Sequence, residues 1–147
     1  MRNPFPVILE NTLEMIKWDS KYSVNVSMID EEHKKFIDII NKAADIQKYD
    51  NNSRAITEIL IEMTTYAQEH FRTEETYMLN FEYYDYKSHI DEHNNFSKKI
   101  SNYCSKLMNR DLEVIDRVLE DLKQYLVNHI QVTDKKYADC FNENGLK

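Results

Sequence analysis

The sequence holds one glycine and two prolines in 147 residues, where ordinary usage would give about ten glycines at roughly 7%. Barrels and sandwiches need tight turns with positive φ, and phosphate-cradling loops need several glycines. A lone Gly145 therefore argues against both and for an all-helical chain. Cysteine is equally scarce. Cys104 and Cys140 lie far apart with no Cys-x-x-Cys pair, so neither a disulfide framework nor a thiolate zinc site is indicated, and a reducing, cytoplasmic setting is expected. Long apolar runs are missing too. The apolar start Val7-Ile8-Leu9 is cut by Pro6 and Glu10, too short for a secretory signal, and no later run could span a bilayer. Basic residues are outnumbered, 19 against 26 acidic, and scattered. The net charge of −7 argues against nucleic acid as a partner. A chain of this length buries roughly 68–70% of its unfolded surface, enough for one self-sufficient domain.

What is present is helical periodicity. From Asp30 to about Lys48, His33, Ile37, Ile40 and Ala44 fall on one helix face, widened by Phe36 and Ala43. The polar string from Lys48 to Ser53 reads as a turn, with Ser53 available as a helix cap. A second stripe carries Ile56, Leu60, Met63, Ala67, His70, Glu74, Met78 and Phe81. After an interruption at 82–86, where Asp85 or Ser88 could cap, a third presents His89, His93, Phe96, Ile100, Tyr103 and Leu107. Asp111 is a plausible cap for a fourth, marked by Ile115, Leu119, Leu122, Leu126 and His129. Four long stripes with short connections predict an all-α, up-down-up-down antiparallel four-helix bundle at 29–147, preceded by an N-terminal arm at 1–28.

All five histidines, His33, His70, His89, His93 and His129, lie on inward stripes, and each helix supplies at least one. Imidazoles in an apolar interior need partners, and a metal ion serves several at once. His70 and Glu74 are four residues apart, as are His89 and His93, so each pair faces one centre. Glu74 interrupts an apolar stripe, and no stripe offers the buried Lys or Arg that would neutralise it. His129 and Asp134 are five apart, an offset of about 140° on a regular helix. Either Asp134 is a surface carboxylate, as the following Lys135-Lys136 suggests, or the helix is bulged, overwound or ending there. With Asp134 counted, seven candidate ligands are too many for one tetrahedral zinc, and two adjacent ions use them better. Nitrogen-rich ligation with bridging carboxylates suits iron. No His-Glu-x-x-His is present. The residues three before each histidine, Asp30, Ala67, Tyr86, Ile90 and Leu126, include no glutamate, so the ferritin-like signature is missing.

The ordered set Trp18-Asp19, Tyr22-Ser23-Val24, Ile29-Asp30-x-Glu32-His33-Lys34, His70-x-x-x-Glu74-x-x-x-Met78, His89-x-x-Glu92-His93-x-x-Phe96 and His129-x-x-x-x-Asp134 resembles the hemerythrin family, and its single-domain bacterial members in particular. The likeness runs from about Ile16 to Asn144. It implies one iron on His89, His93 and His129 and a second on His33 and His70. Glu74 and Asp134 would bridge them beside an oxo or hydroxo group. It also implies reversible O2 binding at the open position on the His33/His70 side, with Leu126 and Ile130 lining an apolar pocket. Asn25 departs from the family by standing where a glycine is common.

The implied role is oxygen carriage, storage or delivery by a binding protein, not an enzyme, with O2 and a reductase as partners and a monomer favoured. The alternatives are a di-iron enzyme acting on peroxide or nitric oxide, or an O2 or iron sensor. The ten tyrosines read as packing and interhelix hydrogen bonding, with Tyr125 adjoining the pocket; Trp18 reads as pinning the arm; Met63, Met78 and Met108 read as gap filling.

Overall fold

The computed structural model describes residues 15–49, 53–111 and 113–147. The first fourteen residues of the arm, the expected turn at 50–52 and any side-chain cap from Ser53 lie outside what is described. A single 3-10 turn, Ser20–Tyr22, sits in the arm, followed by α1 (Ser27–Tyr49), α2 (Ser53–Asn80) and α3 (Tyr86–Met108). The fourth helical run is composite: α4 (Val114–Tyr125), a π-helical segment (Leu126–Thr133), a 3-10 turn (Asp134–Tyr137) and α5 (Ala138–Glu143). Among the described residues there is no strand, and the architecture is the expected antiparallel four-helix bundle. No helix of the described residues is long and apolar enough to cross a membrane.

Local chemistry sets the ends of these helices. The Asp30 carboxylate reaches back one turn, accepting from the Ser23 hydroxyl at 2.6 Å and the Val24 amide at 2.9 Å, which ties the arm to the start of α1. Between them Asn25 takes φ 58°, a left-handed geometry asparagine tolerates better than most residues; this is why it can stand where a glycine is common. Helix α2 ends with Glu82 at φ 53°, while Glu82 N donates to Leu79 O and Tyr83 N to Met78 O, the paired bonds of a Schellman cap. Helix α3 ends the same way at Arg110, φ 62°, with Asp111 N bonded to Lys106 O. That bond commits Asp111 to closing α3, so it does not cap α4; Glu113 occupies the cap position instead. Asp85 does occupy the cap of α3, without a side-chain bond.

The inward stripes are buried as expected except for Phe81, which lies just past the end of α2 and is partly buried, and Ile59 and Phe71 are added on α2. Met63 and Met78 fill the core, but Met108 is 76% exposed: it falls on the last turn of α3, beyond the packed layers, and fills no gap. Two apolar clusters result. The larger takes in Phe36, Leu60, Met63, Ile100, Leu122 and Leu126; the smaller takes in Val24, Ile29, Met78, Tyr83, Tyr137 and Phe141. Between the two, all four helical runs pass through one polar layer. In the arm, Trp18 packs against the larger cluster under Lys34, 5.2 Å from its ring, and the buried Asn41 amide exchanges two hydrogen bonds with the Ile16 backbone.

Candidate metal centre

The polar layer contains His33, His70, Glu74, His89, His93, His129 and Asp134, every one at most 3% exposed. Asn41 is the other buried side chain of this polar kind among the described residues, and no Lys or Arg joins them. Glu74 thus has no buried Lys or Arg to pair with among the described residues, as the stripe pattern implied. Asp134 is fully buried, which overturns the surface reading that Lys135-Lys136 suggested. The cause is the π-helical segment. Asp134 N donates to His129 O, a five-residue bond that widens the turn and brings residues five apart onto one face.

Ligand atoms fall into two groups, each within 4.8 Å: Glu74, His89, His93, His129 and Asp134, and His33, His70, Glu74 and Asp134. Both carboxylates belong to both. Asp134 Oδ1 lies 3.0 Å from Nε2 of His89 and 3.0 Å from Nε2 of His129, while its Oδ2 lies 3.1 Å from His33 Nε2. Glu74 Oε1 is 2.6 Å from His70 Nε2 and 3.7 Å from His93 Nε2, and its Oε2 is 3.6 Å from His89 Nε2.

These atoms are close, yet they are poorly directed at one another. Both oxygens of Glu74 and of Asp134, both ring nitrogens of His33 and His89, and Nδ1 of His93 are buried without a properly aligned hydrogen bond. Lone pairs crowding a common volume are costly unless cations fill it. His93 Nε2 and His129 Nε2 stand 3.1 Å apart, the separation of two nitrogens bound at right angles to one ion at about 2.1 Å. The residues present therefore fit a metal pair.

The outward face of the layer is braced by three carboxylates to which the sequence reading assigned no role. Glu32 of α1 lies 3.2 Å from His70 Nδ1 on α2, Glu75 of α2 lies 3.8 Å from His93 Nδ1 on α3, and Glu92 of α3 lies 2.6 Å from His129 Nδ1. Each adjoins one candidate ligand in sequence and supports another on the next helix. Rings complete the enclosure: Phe71 stacks on His93 at 3.8 Å, Tyr125 on His129 at 4.6 Å, and Tyr137 lies 5.6 Å from His89.

Electrostatics follow from that packing. Burial opposes the charged form of His70, but Glu74 and Glu32 outweigh it and hold its pKa at about 10. The same contest leaves His89 at about 10 through Asp134 and Glu74, and His129 at about 9 through Asp134 and Glu92. His93 is lowered, chiefly by burial. Burial raises both Glu74 and Asp134, yet the facing imidazoles pull them well below the ordinary carboxylate range.

Fold and site together define a four-helix-bundle protein with a buried histidine–carboxylate cluster able to hold metal. Residues 24–141 match the model of the hemerythrin HHE cation binding domain. Bacteriohemerythrin from Clostridium acetobutylicum is 30% identical over 129 residues, covering 85% of this chain and 100% of that protein. Bacteriohemerythrin from Methylococcus capsulatus is 30% identical over 135 residues, covering 88% and 99%. The myohemerythrin of Theromyzon tessulatum is 29% identical over 124 residues, covering 84% and 92%. A solved wild-type hemerythrin matches with a TM-score of 0.79 at 29% identity, covering 86% of this chain and 98% of that one. The chain belongs to the hemerythrin family, whose members bind O2 at a di-iron centre.

Proposed function

We propose that the chain binds O2 reversibly at two non-haem irons, for oxygen carriage, storage or delivery, with His89, His93 and His129 on one iron, His33 and His70 on the other, and Glu74 and Asp134 bridging. The observation that carries this reading is the sharing of both carboxylates between two histidine groups in one closed layer. Two ferrous ions would supply the two electrons that O2 takes up on binding and returns on release. The chain's own contribution is positional. Inward Nε2 atoms would present neutral donors to the metal, Glu32 and Glu92 fix the tautomers of His70 and His129 from behind, and Glu75 lies behind His93 at 3.8 Å. The unequal histidine count leaves the His33/His70 group one nitrogen short, which favours that side for a small ligand. Two buried carboxylates offset part of the cationic charge that a metal pair brings. Leu126 and Ile130, each 1% exposed in the π-helical segment, would keep water and protons from the bound oxygen.

A metal assay followed by anaerobic reduction, admission of air and removal of oxygen tests this. About two irons per chain and a visible charge-transfer band that appears and disappears with oxygen are expected. Irreversible bleaching with consumption of peroxide would make the protein an enzyme instead, and a zinc-only protein would sink both readings.

A further inference from the structure

A cleft of about 330 Å³ lies between α3 and α4, beside the three-histidine half of the centre, and O2 binding as proposed makes no use of it. Its inner wall is aromatic. Phe96 and Tyr125 pack with ring centroids 4.0 Å apart, and Tyr125 lies nearly parallel to the His129 imidazole, at 4.6 Å and 11°. Tyr125 is only half-buried as a residue, so its ring borders the cleft, while its hydroxyl is enclosed without a hydrogen-bond partner. Glu92, also on the cleft wall and 44% exposed, lies 2.6 Å from His129 Nδ1. The rim carries the amide of Asn95, the amides of Gln124 and Asn128, of which Asn128 Nδ2 donates to Gln124 Oε1 at 3.3 Å and each keeps a further N–H, and one charge pair, Lys99–Asp121 at 3.8 Å.

These features select the ligand. An aromatic wall takes a flat ring, and rim amides take carbonyl or hydroxyl oxygens. The cation at the rim is engaged by Asp121, and Glu92 adds a negative charge, so a phosphorylated or otherwise anionic ring is disfavoured. The volume sits at the low end of small-molecule sites, about 300–1,000 Å³. The stacked Tyr125 and His129 rings connect such a ligand directly to a candidate metal ligand. We propose that this cleft binds a neutral hydroquinone and its quinone, and that it is where electrons enter the metal centre. The second half of that statement rests on the di-iron reading. A hydroquinone seated there gives up two electrons and two protons and leaves as the quinone. The electrons would cross the stacked rings to the centre, where two ferric ions held by the candidate ligands would each take one, and the protons would go to solvent at the mouth.

Duroquinone is the probe, because its ring positions are all substituted and it does not alkylate Cys104 or Cys140. Calorimetric titration of the ferric protein is expected to give one site per chain. Asn95→Trp and Asn128→Trp, both at exposed positions outside the candidate ligand set, are expected to weaken binding at least tenfold. Anaerobic reduction by duroquinol is expected to slow at least tenfold in the same variants, with reduction by dithionite unchanged. No saturable binding, or binding unaltered in both variants, overturns the cleft. Binding with unchanged duroquinol rates overturns electron entry. If the chain takes up no iron, the di-iron reading falls, and the titration still decides the cleft.

Discussion

Each candidate imidazole uses its two nitrogens differently, Nε2 turned into the layer and Nδ1 turned, in three of the five, towards a carboxylate on the neighbouring helix. Replacing Glu74 or His70 by alanine is expected to lower iron from about two per chain to one or none by elemental analysis, while Glu69→Ala, on the exposed face, leaves it unchanged. Two irons retained in the first pair would mean the assignment is wrong. In the metal-free protein the raised values of His70, His89 and His129, about 10, 10 and 9, set a pH dependence. Their imidazolium contacts stabilise the fold fully below the unfolded pKa of about 6.5 and lose that effect as pH rises through 9 to 10. The depressed Glu74 and Asp134 act oppositely, stabilising above about pH 4 and failing in acid. Thermal melts of chelator-stripped protein are therefore expected to fall between pH 6 and 10, whereas loaded protein, whose ligating imidazoles are already neutral, shows much less of that decline. Parallel curves would contradict it. The histidines and Glu74 were legible in the sequence because they interrupt apolar stripes. Glu32 and Glu92 stood in the family motifs without a role and Glu75 stood outside them, because a carboxylate on a helix flank reads as solvated and its partner lies across a helix boundary that periodicity does not see.

At the scale of the element, the four stripes were readable because a 3.6-residue period over long runs has few competing explanations. The π-helical segment was legible only in part: on spacing alone a five-residue gap is equally the mark of an exposed carboxylate, the family resemblance already placed Asp134 among the ligands, and the bond from Asp134 N to His129 O shows the wide turn that brings it inward. A π-bulge is in effect one residue inserted in an α-helix. Deleting the exposed Val132 is therefore expected to restore a four-residue spacing between His129 and Asp134, retain about two irons per chain and raise the melting temperature. Loss of metal would show that the wide turn itself is required. The helix ends carry a second reserve of stability. With one glycine in the chain, left-handed caps fall to Glu82 and Arg110, where a Cβ is unfavourable. Arg110→Gly is expected to stabilise by about 0.5–1 kcal/mol, offset in part by the freer unfolded chain. A scanning melt should rise by about 1–4 °C, and a fall would place the cap's stability in the arginine side chain.

Among the described residues the apolar interior is split by a charged layer, and on the proposed reading the larger cluster would also serve as its apolar cover. Of the −7 net charge, the Glu74 and Asp134 carboxylates lie inside this layer, off the surface, and would enter the charge balance of a bound metal. Leu126 lies at one place where cover and solvent approach each other. It is 1% exposed and part of the larger cluster, yet it also borders a groove beneath the arm, with Ile16, Tyr22 and Val127 around it. Asn41 holds Ile16 over that groove through two hydrogen bonds of 2.8 and 2.9 Å. Truncating Leu126 to alanine removes packing and leaves a void, at a cost of about 2–5 kcal/mol for a buried leucine. Because the void would open towards the arm groove, it would fill with water instead of staying dry, and protons would reach the bound oxygen. Leu126→Ala is accordingly expected to bind iron normally but lose its oxygenated band several-fold faster than the parent protein. Leu119→Ala, an equally buried change elsewhere in the same cluster, should destabilise without that acceleration. Equal decay rates in the parent and Leu126→Ala would remove Leu126 from the oxygen pocket, and equal acceleration in both variants would trace the effect to general loosening of the bundle.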